Sequence, residues 1–406
     1  MAKLPHQERL TAGAQAETPR DARGLQSLPA PVSPGAAAVS AAPLPASPVF
    51  AAPLVLSIDA MGGDMGPAAV LDGILRAHRA RPDLRFLVHG RKPELEPLVA
   101  ARGLGGCVAL NHAEGVVSMH DKPSAVMRHG KDTSMWATIE AVRAGQAAVA
   151  VSCGNTGALM AVSMLRLRKL PGVDRPAIAS FWPSRNPSGF NVMLDMGADV
   201  KADAFDLLTY ALMGTSYARN ALGLAKPRVG LLNVGTEEHK GNAELKSAHE
   251  MIAHAQEAGD FTFVGFVEGN DLPSDRVDVI VTDGFTGNVA LKTGEGTAKF
   301  AGALMREAFS SGLLARLGAL LAMGALKKLK EKIDPRRANG GVFLGLNGTV
   351  VKSHGGADAL GVAAAIELAA RLAGLGFAEK LAARVALASA TGQDGASTEP
   401  GSEPEK

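Results

Sequence analysis

The chain has 406 residues, 47% of them hydrophobic, enough for one large α/β core or two to three smaller ones. A net charge of +2 and an aromatic content of 4% argue against a nucleic-acid surface, which needs a basic footprint or stacking platforms. The two cysteines, Cys107 and Cys153, form neither a disulfide framework nor a CxxC pair, as expected in a reducing cytoplasm.

Residues 1–52 are rich in Pro and Ala ("LPAPVSPGAAAVSAAPLPASP") and read as a disordered arm. Glu8, Glu17 and Asp21 argue against a transit peptide, and no continuous apolar segment marks a secretory signal. A domain is expected over 53–388, and the tail from 389 to 406 reads as disordered. No run of eighteen apolar residues suggests a spanning helix.

Within the domain, apolar strand candidates alternate with helical patterns. The strands are "LVLSID", "RFLVHG", "VAVSCG", "FNVMLDMG", "RVGLLNVG", "FTFVGFVEG" and "DVIVTDG". The helices include "PAAVLDGILRAHRA", "SMWATIEAVRAG", "ALMAVSMLRLRK" and "NAELKSAHEMIAHAQEAG". Continuous apolar strands between helices predict a three-layer, Rossmann-like α/β fold with a mostly parallel sheet.

Several strands end alike: "IDAMGGD", "SCGNTG", "LDMGAD", "NVGTEEHKG" and "TDGFTGN". Each is an apolar run, then Asp, Asn or Ser among glycines, then a helix. Glycines let backbone approach a ligand, and helix N-termini offer N–H groups to an anion. Ligands in open α/β sheets sit beyond the carboxyl ends of strands, so five such loops predict one anion-holding crevice. The plainer reading of each loop is a βα turn with an Asp or Asn cap.

No GxGxxG follows a strand, and neither a phosphate-binding GxxxxGK[ST] loop nor a GxSxG elbow is present. His249 and His254 are five apart and do not share the helix face a zinc pair needs, so no metal site is expected. Cys153 is either a thiolate nucleophile at a helix start or a small buried filler, and no base nearby in sequence supports the first. Lys240, Lys292 and His354 lie beside glycines in the strand-end loops or early in the helices that follow, where each could neutralise a phosphate or simply be solvated.

Residues 305–335 predict a basic amphipathic helical insertion. Leu313, Leu317, Leu320, Leu321 and Leu326 recur at helical spacing, beside Arg316, Lys327, Lys328, Lys330 and Lys332. Leucines flanked by lysines suit a membrane surface, an acidic partner or a second subunit.

The motifs "IDAMGGDMGP", "VSCGNTGALM", "LDMGAD", "NVGTEEHKG", "TDGFTGNVALKTGEG" and "FLGLNGTVVKSHG", in this order, closely resemble the bacterial phosphate acyltransferase family of phospholipid synthesis. The resemblance runs from about Val55 to about Val385. It departs at Cys153, where the family has a small Ala-like residue, and at Asp199, where it has Asn. It implies the phosphotransacetylase and isocitrate-dehydrogenase-like architecture. It also implies transfer of a long-chain acyl group from acyl carrier protein to inorganic phosphate, a reaction that requires no organic cofactor. A homodimer at the inner membrane periphery would pass acyl phosphate to a glycerol-3-phosphate acyltransferase.

On that resemblance, Asn155, Lys240, Lys292 and His354 are the expected catalytic residues. The expected substrate-binding set is Asp59, Gly62, Gly63, Asp64, Gly154, Thr156, Gly157, Asp195, Asn233, Gly235, Asp283, Gly284 and Asn288. Leu313, Leu317, Leu321, Lys327 and Lys328 are expected to dock membrane or carrier protein. The alternatives are a short-chain acyl-CoA:phosphate transacetylase, a hydroxy-acid dehydrogenase of similar architecture, and a non-enzymatic membrane scaffold for the carrier protein.

Overall fold

The last four residues of the strand Val55–Asp59 (β1) are buried, as a central parallel strand with helices on both faces requires. The computed structural model describes residues 53–327 and 340–396, and side chains through Ala386. The expected arm at 1–52, Lys328 and the basic residues 330–337 lie outside the described residues.

After β1 come α1 (Gly66–Ala80), β2 (Arg85–Gly90), α2 (Lys92–Ala101), β3 (Val108–His112), α3 (Pro123–His129), α4 (Ser134–Arg143), β4 (Val149–Ser152) and α5 (Thr156–Leu167). The middle of the chain gives β5 (Ala177–Pro183), β6 (Phe190–Leu194), α6 (Ala204–Leu222), β7 (Arg228–Leu232), α7 (Ala243–Gly259), β8 (Thr262–Val267), β9 (Val279–Val281), α8 (Gly284–Ser310) and α9 (Leu313–Leu321). The last elements are β10 (Gly341–Leu344), β11 (Thr349–Lys352), α10 (Ala359–Gly374) and α11 (Phe377–Ala396). Helix α11 thus continues past 389, where the tail was expected to begin.

The strands form one sheet in the order β3-β2-β1-β4-β11-β10-β5-β6-β9-β7-β8. Most pairings are parallel, but β11–β10, β10–β5 and β5–β6 are antiparallel. Strand direction therefore reverses between the two halves. Strand β5 belongs to both, pairing with β10 through Ala177–Ala179 and with β6 through Ser180–Pro183. The glycine loops consequently split into two groups: one follows β1, β4 and β11, the other β6, β7 and β9. This corrects the expectation that they share one edge.

Alternation along the strands builds two cores. Val149, Val151, Val192 and Leu194 face α1, α6, α7, α10 and α11, while Ala150, Ile178, Met193 and Ile280 face α4, α5 and α8. All seven expected strands form. Strand β3 was missed because it is a half-exposed edge with Asn111 and His112 at its end. Strands β5, β10 and β11 carry the reversal, which no apolar run among the expected strands marks. Helix α6 was missed because it is buried on nearly every side and shows no amphipathic stripe. Its start is set by a capping box between Asp203 and Asp206.

One polar chain, buried at Ser57 and His89, ties the first three strands together. Asn111 Nδ2 donates to His89 Nδ1 at 3.0 Å, His89 Nε2 lies 2.9 Å from Ser57 Oγ, and Ser57 Oγ donates to the Thr138 carbonyl at 2.9 Å. This arrangement fits a neutral, Nε2-protonated imidazole. Burial lowers the His89 pKa to about 4. The unfolded imidazole takes up a proton near its ordinary value of about 6.5, so acid favours unfolding between the two values. Stability should fall by roughly 3 kcal/mol as pH drops from 6.5 through 4 on this account alone. Urea unfolding of wild type and His89→Gln across that range should show a shallower pH slope in the variant.

Candidate active site

The loop after β1 is organised by Asp59, which is 1% exposed. Its Oδ1 accepts from the N–H groups of Met61 and Gly62, both at 3.2 Å, and from Ser134 Oγ at 2.7 Å. Its Oδ2 accepts from Ser152 Oγ at 2.7 Å. A buried carboxylate needs its lone pairs filled, and loop and hydroxyl donors fill these.

Three loops then interlock. A side chain on Gly62 would meet Asp59 Oδ2 at 2.5 Å and the Gly154 nitrogen at 2.8 Å. Gly63, at φ +94°, lies against the Gly355 carbonyl and Cys153. Asp64 N–H donates to Gly355 O at 2.8 Å, joining the loop after β1 to the loop after β11.

Lys352 ends β11 beneath these loops and is 8% exposed. Its Nζ donates to the carbonyls of Cys153 and Ser353. Burial lowers its pKa to about 8. The charges of Cys153, Asp59 and Asp64 partly restore it, while Lys292 on α8 lowers it further.

The backbone donors divide sharply. Gly62 N–H is committed to Asp59, and Gly154 N–H to Ser152 Oγ at 3.0 Å. Asn155 caps α5: its Oδ1 accepts from Ala158 N–H at 3.0 Å. Its Nδ2 donates to the carbonyls of Ser118, Met119 and Asp121, so the amide also anchors that loop. Among the described residues no partner is seen for the N–H groups of Thr156 and Gly157. They open α5 with the positive end of its dipole, two residues after Gly154 and three after Cys153, whose carbonyl accepts from Lys352 Nζ.

The second group of loops repeats the device. Asp195, fully buried at the end of β6, accepts from the N–H groups of Ile178, Gly197, Ala198 and Asp199 at 2.8–3.2 Å. Burial pushes its pKa up, against the pull of those bonds. Gly284 presses on Asp195 and the Asp199 carbonyl, and Gly287 on the Asp195 carbonyl. Asp283 caps α8 through Thr286, and Asn288 packs against Gly197. Asp199, one of the two departures, pairs with Arg175.

The remaining expected residues sit further out. Lys292 is exposed and pairs with Glu295 at 3.0 Å. With Asn288, Val289 and Thr293 it lines a shallow depression of about 400 Å³. Lys240 is exposed in the loop after β7, where Asn233 holds it by its carbonyl and Gly235 packs on its stem. His354 is exposed, and its Nδ1 accepts from Gly356 N–H at 3.1 Å. Cys153 is 4% exposed, and burial pushes its thiol pKa up, which suits a filler rather than a thiolate. Sequence reasoning left Lys352, Ser134 and Ser152 out of the expected site. Lys352 was visible in "VVKSHG", but its burial was not.

Comparison with known proteins decides the family. A family model described as "Fatty acid synthesis protein" matches residues 54–380. The chain is 74% identical to the phosphate acyltransferase of Rhodobacter capsulatus over 403 residues, covering 99% of each chain. It is 69% identical to that of Jannaschia sp. (strain CCS1) over 337 residues, covering 83% of this chain and 92% of the other.

This chain belongs to the phosphate acyltransferase family. It is an acyltransferase, and acyl transfer to phosphate is the family's activity. The fold is that of phosphotransacetylases. The enzyme from Streptococcus pyogenes matches with a TM-score of 0.53 and EutD from Staphylococcus aureus with 0.51, each at 16% identity over 79% of this chain and 94% of theirs.

The glycine contacts make a direct test. In Gly287→Ala the new methyl meets backbone of the Asp195 turn, which cannot swing aside, and should cost about 2 kcal/mol. Gly302→Ala on the same helix meets nothing within 4 Å and should stabilise by up to about 1 kcal/mol. Thermal unfolding of the two variants reads both signs.

Proposed function

We propose that the chain transfers a long-chain acyl group from acyl carrier protein to inorganic phosphate, releasing acyl phosphate. The observation that carries this reading is the N-terminus of α5, whose Thr156 and Gly157 N–H groups have no partner among the described residues, in the loop whose Cys153 carbonyl accepts from the buried Lys352 ammonium. A helix N-terminus is an anion site, and a cation on the same loop adds to its charge. Phosphate is partly a dianion at neutral pH and needs positioning more than a strong base.

In this reading a phosphate oxygen attacks the thioester carbon, and Lys352 and Lys292 offset the charge of phosphate and of the tetrahedral oxyanion. When the intermediate collapses the carbon–sulfur bond breaks, and the thiolate takes a proton from a lysine ammonium. Lys352, with its pKa of about 8, suits that donor. Asp59 and Asp195 hold the loops, and Asn155 is a positioning residue, because its amide is already committed. Lys240 and His354 remain candidates for the outer charge.

Helix α9 supports a peripheral membrane contact. Leu313, Leu317 and Leu321 are 84%, 53% and 81% exposed, and Lys327 is exposed beyond them. Leucines exposed to this degree beside lysine suit the headgroup boundary of an anionic bilayer. Among the described residues no single helix is long and apolar enough to cross a membrane. The cytoplasmic placement, the homodimer and the downstream glycerol-3-phosphate acyltransferase follow the family resemblance.

Purified protein given palmitoyl-acyl-carrier-protein and labelled phosphate should form a hydroxylamine-sensitive acyl phosphate. Lys352→Met should lower kcat/KM by about a hundredfold. Because the ammonium is the active form and is lost above about pH 8, wild-type kcat/KM should fall as pH rises through that value. Lys352→Met should lose this limb. Carrier binding without product would favour the scaffold alternative.

A further inference from the structure

The segment between β3 and α3 ends in a turn that closes on itself. Ser118 N–H donates to Asp121 Oδ2 at 2.8 Å, and Asp121 N–H donates to the Ser118 carbonyl at 3.2 Å. Buried Val117 anchors its start. Among the described residues, the hydrogen bonds seen between Ser118–Asp121 and another element come from one side chain. Asn155 Nδ2 donates to the carbonyls of Ser118, Met119 and Asp121 at 3.0–3.3 Å. Asn155 also caps α5 through its Oδ1. A cap needs only an acceptor, which Ser or Asp supplies equally well, so the Nδ2 donor is what Asn adds.

From this latch the turn reaches the interlocked loops. Pro123, just beyond it, stands 3.1 Å from the point where a side chain on Gly157 would begin, in the first turn of α5. The Met119 methyl is 2.9 Å from the corresponding point on Gly355. Asp64 Oδ2 is 3.2 Å from that same point, and the Cys153 carbonyl, which accepts from Lys352, is 3.8 Å from it. A flexible apolar group is thus set among the polar groups of the site.

We propose that the Ser118–Asp121 turn shields the reacting thioester from water, with Asn155 as the positioning residue that holds it and Met119 as the apolar cover it carries. The inference rests on the acyl-transfer reading above and adds to it a means of choosing phosphate over water. Both are oxygen nucleophiles, and water is far more abundant. When water attacks, its oxygen bonds to the thioester carbon, the carbon–sulfur bond breaks and the sulfur leaves as a thiol. A free fatty acid then forms in place of acyl phosphate. Keeping water out prevents that loss.

The test compares two rates with palmitoyl-acyl-carrier-protein: enzyme-dependent palmitate release with phosphate withheld, and acyl phosphate formation with phosphate supplied. Asn155→Ser keeps a cap for α5, but its hydroxyl stops short of the turn. Met119 is 37% exposed, so Met119→Ala removes the cover with little risk to folding. Each variant should raise the ratio of hydrolysis to transfer about tenfold over wild type. Both rates falling together, or an unchanged ratio in Met119→Ala, would overturn the shield. Wild-type protein that forms no acyl phosphate would instead overturn the acyl-transfer reading beneath it.

Discussion

A buried carboxylate at the end of a strand governs each half of this molecule. Asp59 and Asp195 have almost no contact with water, so each must draw donors from the chain around it. The nearest donors are the N–H groups of its own loop and neighbouring hydroxyls, and these curl around the oxygens. The loops become so tight that glycine is required where they meet one another, at Gly62 and Gly63 in one half and Gly284 and Gly287 in the other. Placement of Lys352 and of the α5 N-terminus follows from that tightness.

This constraint explains which donors remain for a substrate. The glycine N–H groups that invite an oxyanion in the sequence are largely used to hold Asp59 and Ser152. The donors left over belong to the first turn of α5, where capping by Asn155 satisfies only Ala158. On the proposed function the site lies at the helix the glycines introduce rather than at the glycines themselves. The glycines act by letting backbone layers touch, and Lys352 would supply charge.

Much of the fold was legible because parallel strands buried on both faces read as continuous apolar runs, and several ended in an Asp, Asn or Ser among glycines. The reversal of direction at β5, β10 and β11 was not legible, because the two local antiparallel pairs are joined by β10–β5, which links segments more than 150 residues apart, such as Val342 with Ala179. Hence the glycine loops were expected on one edge, although they lie on two. The residue types of the site were readable, but Lys352 lies at the end of a short strand whose burial comes from its neighbours. Asn155 looked catalytic in "SCGNTG" because a cap and an oxyanion donor share one residue type and one position. The leucines of α9 were readable from helical spacing, and the structure leaves them exposed.

The most direct measurement of the central claim is a crystal structure of the protein with bound inorganic phosphate. The account predicts phosphate oxygens within hydrogen-bond distance of the Thr156 and Gly157 N–H groups and on the Lys352 side of the α5 terminus. Phosphate bound instead in the Asn233–Lys240 loop, with the α5 terminus empty, would contradict it.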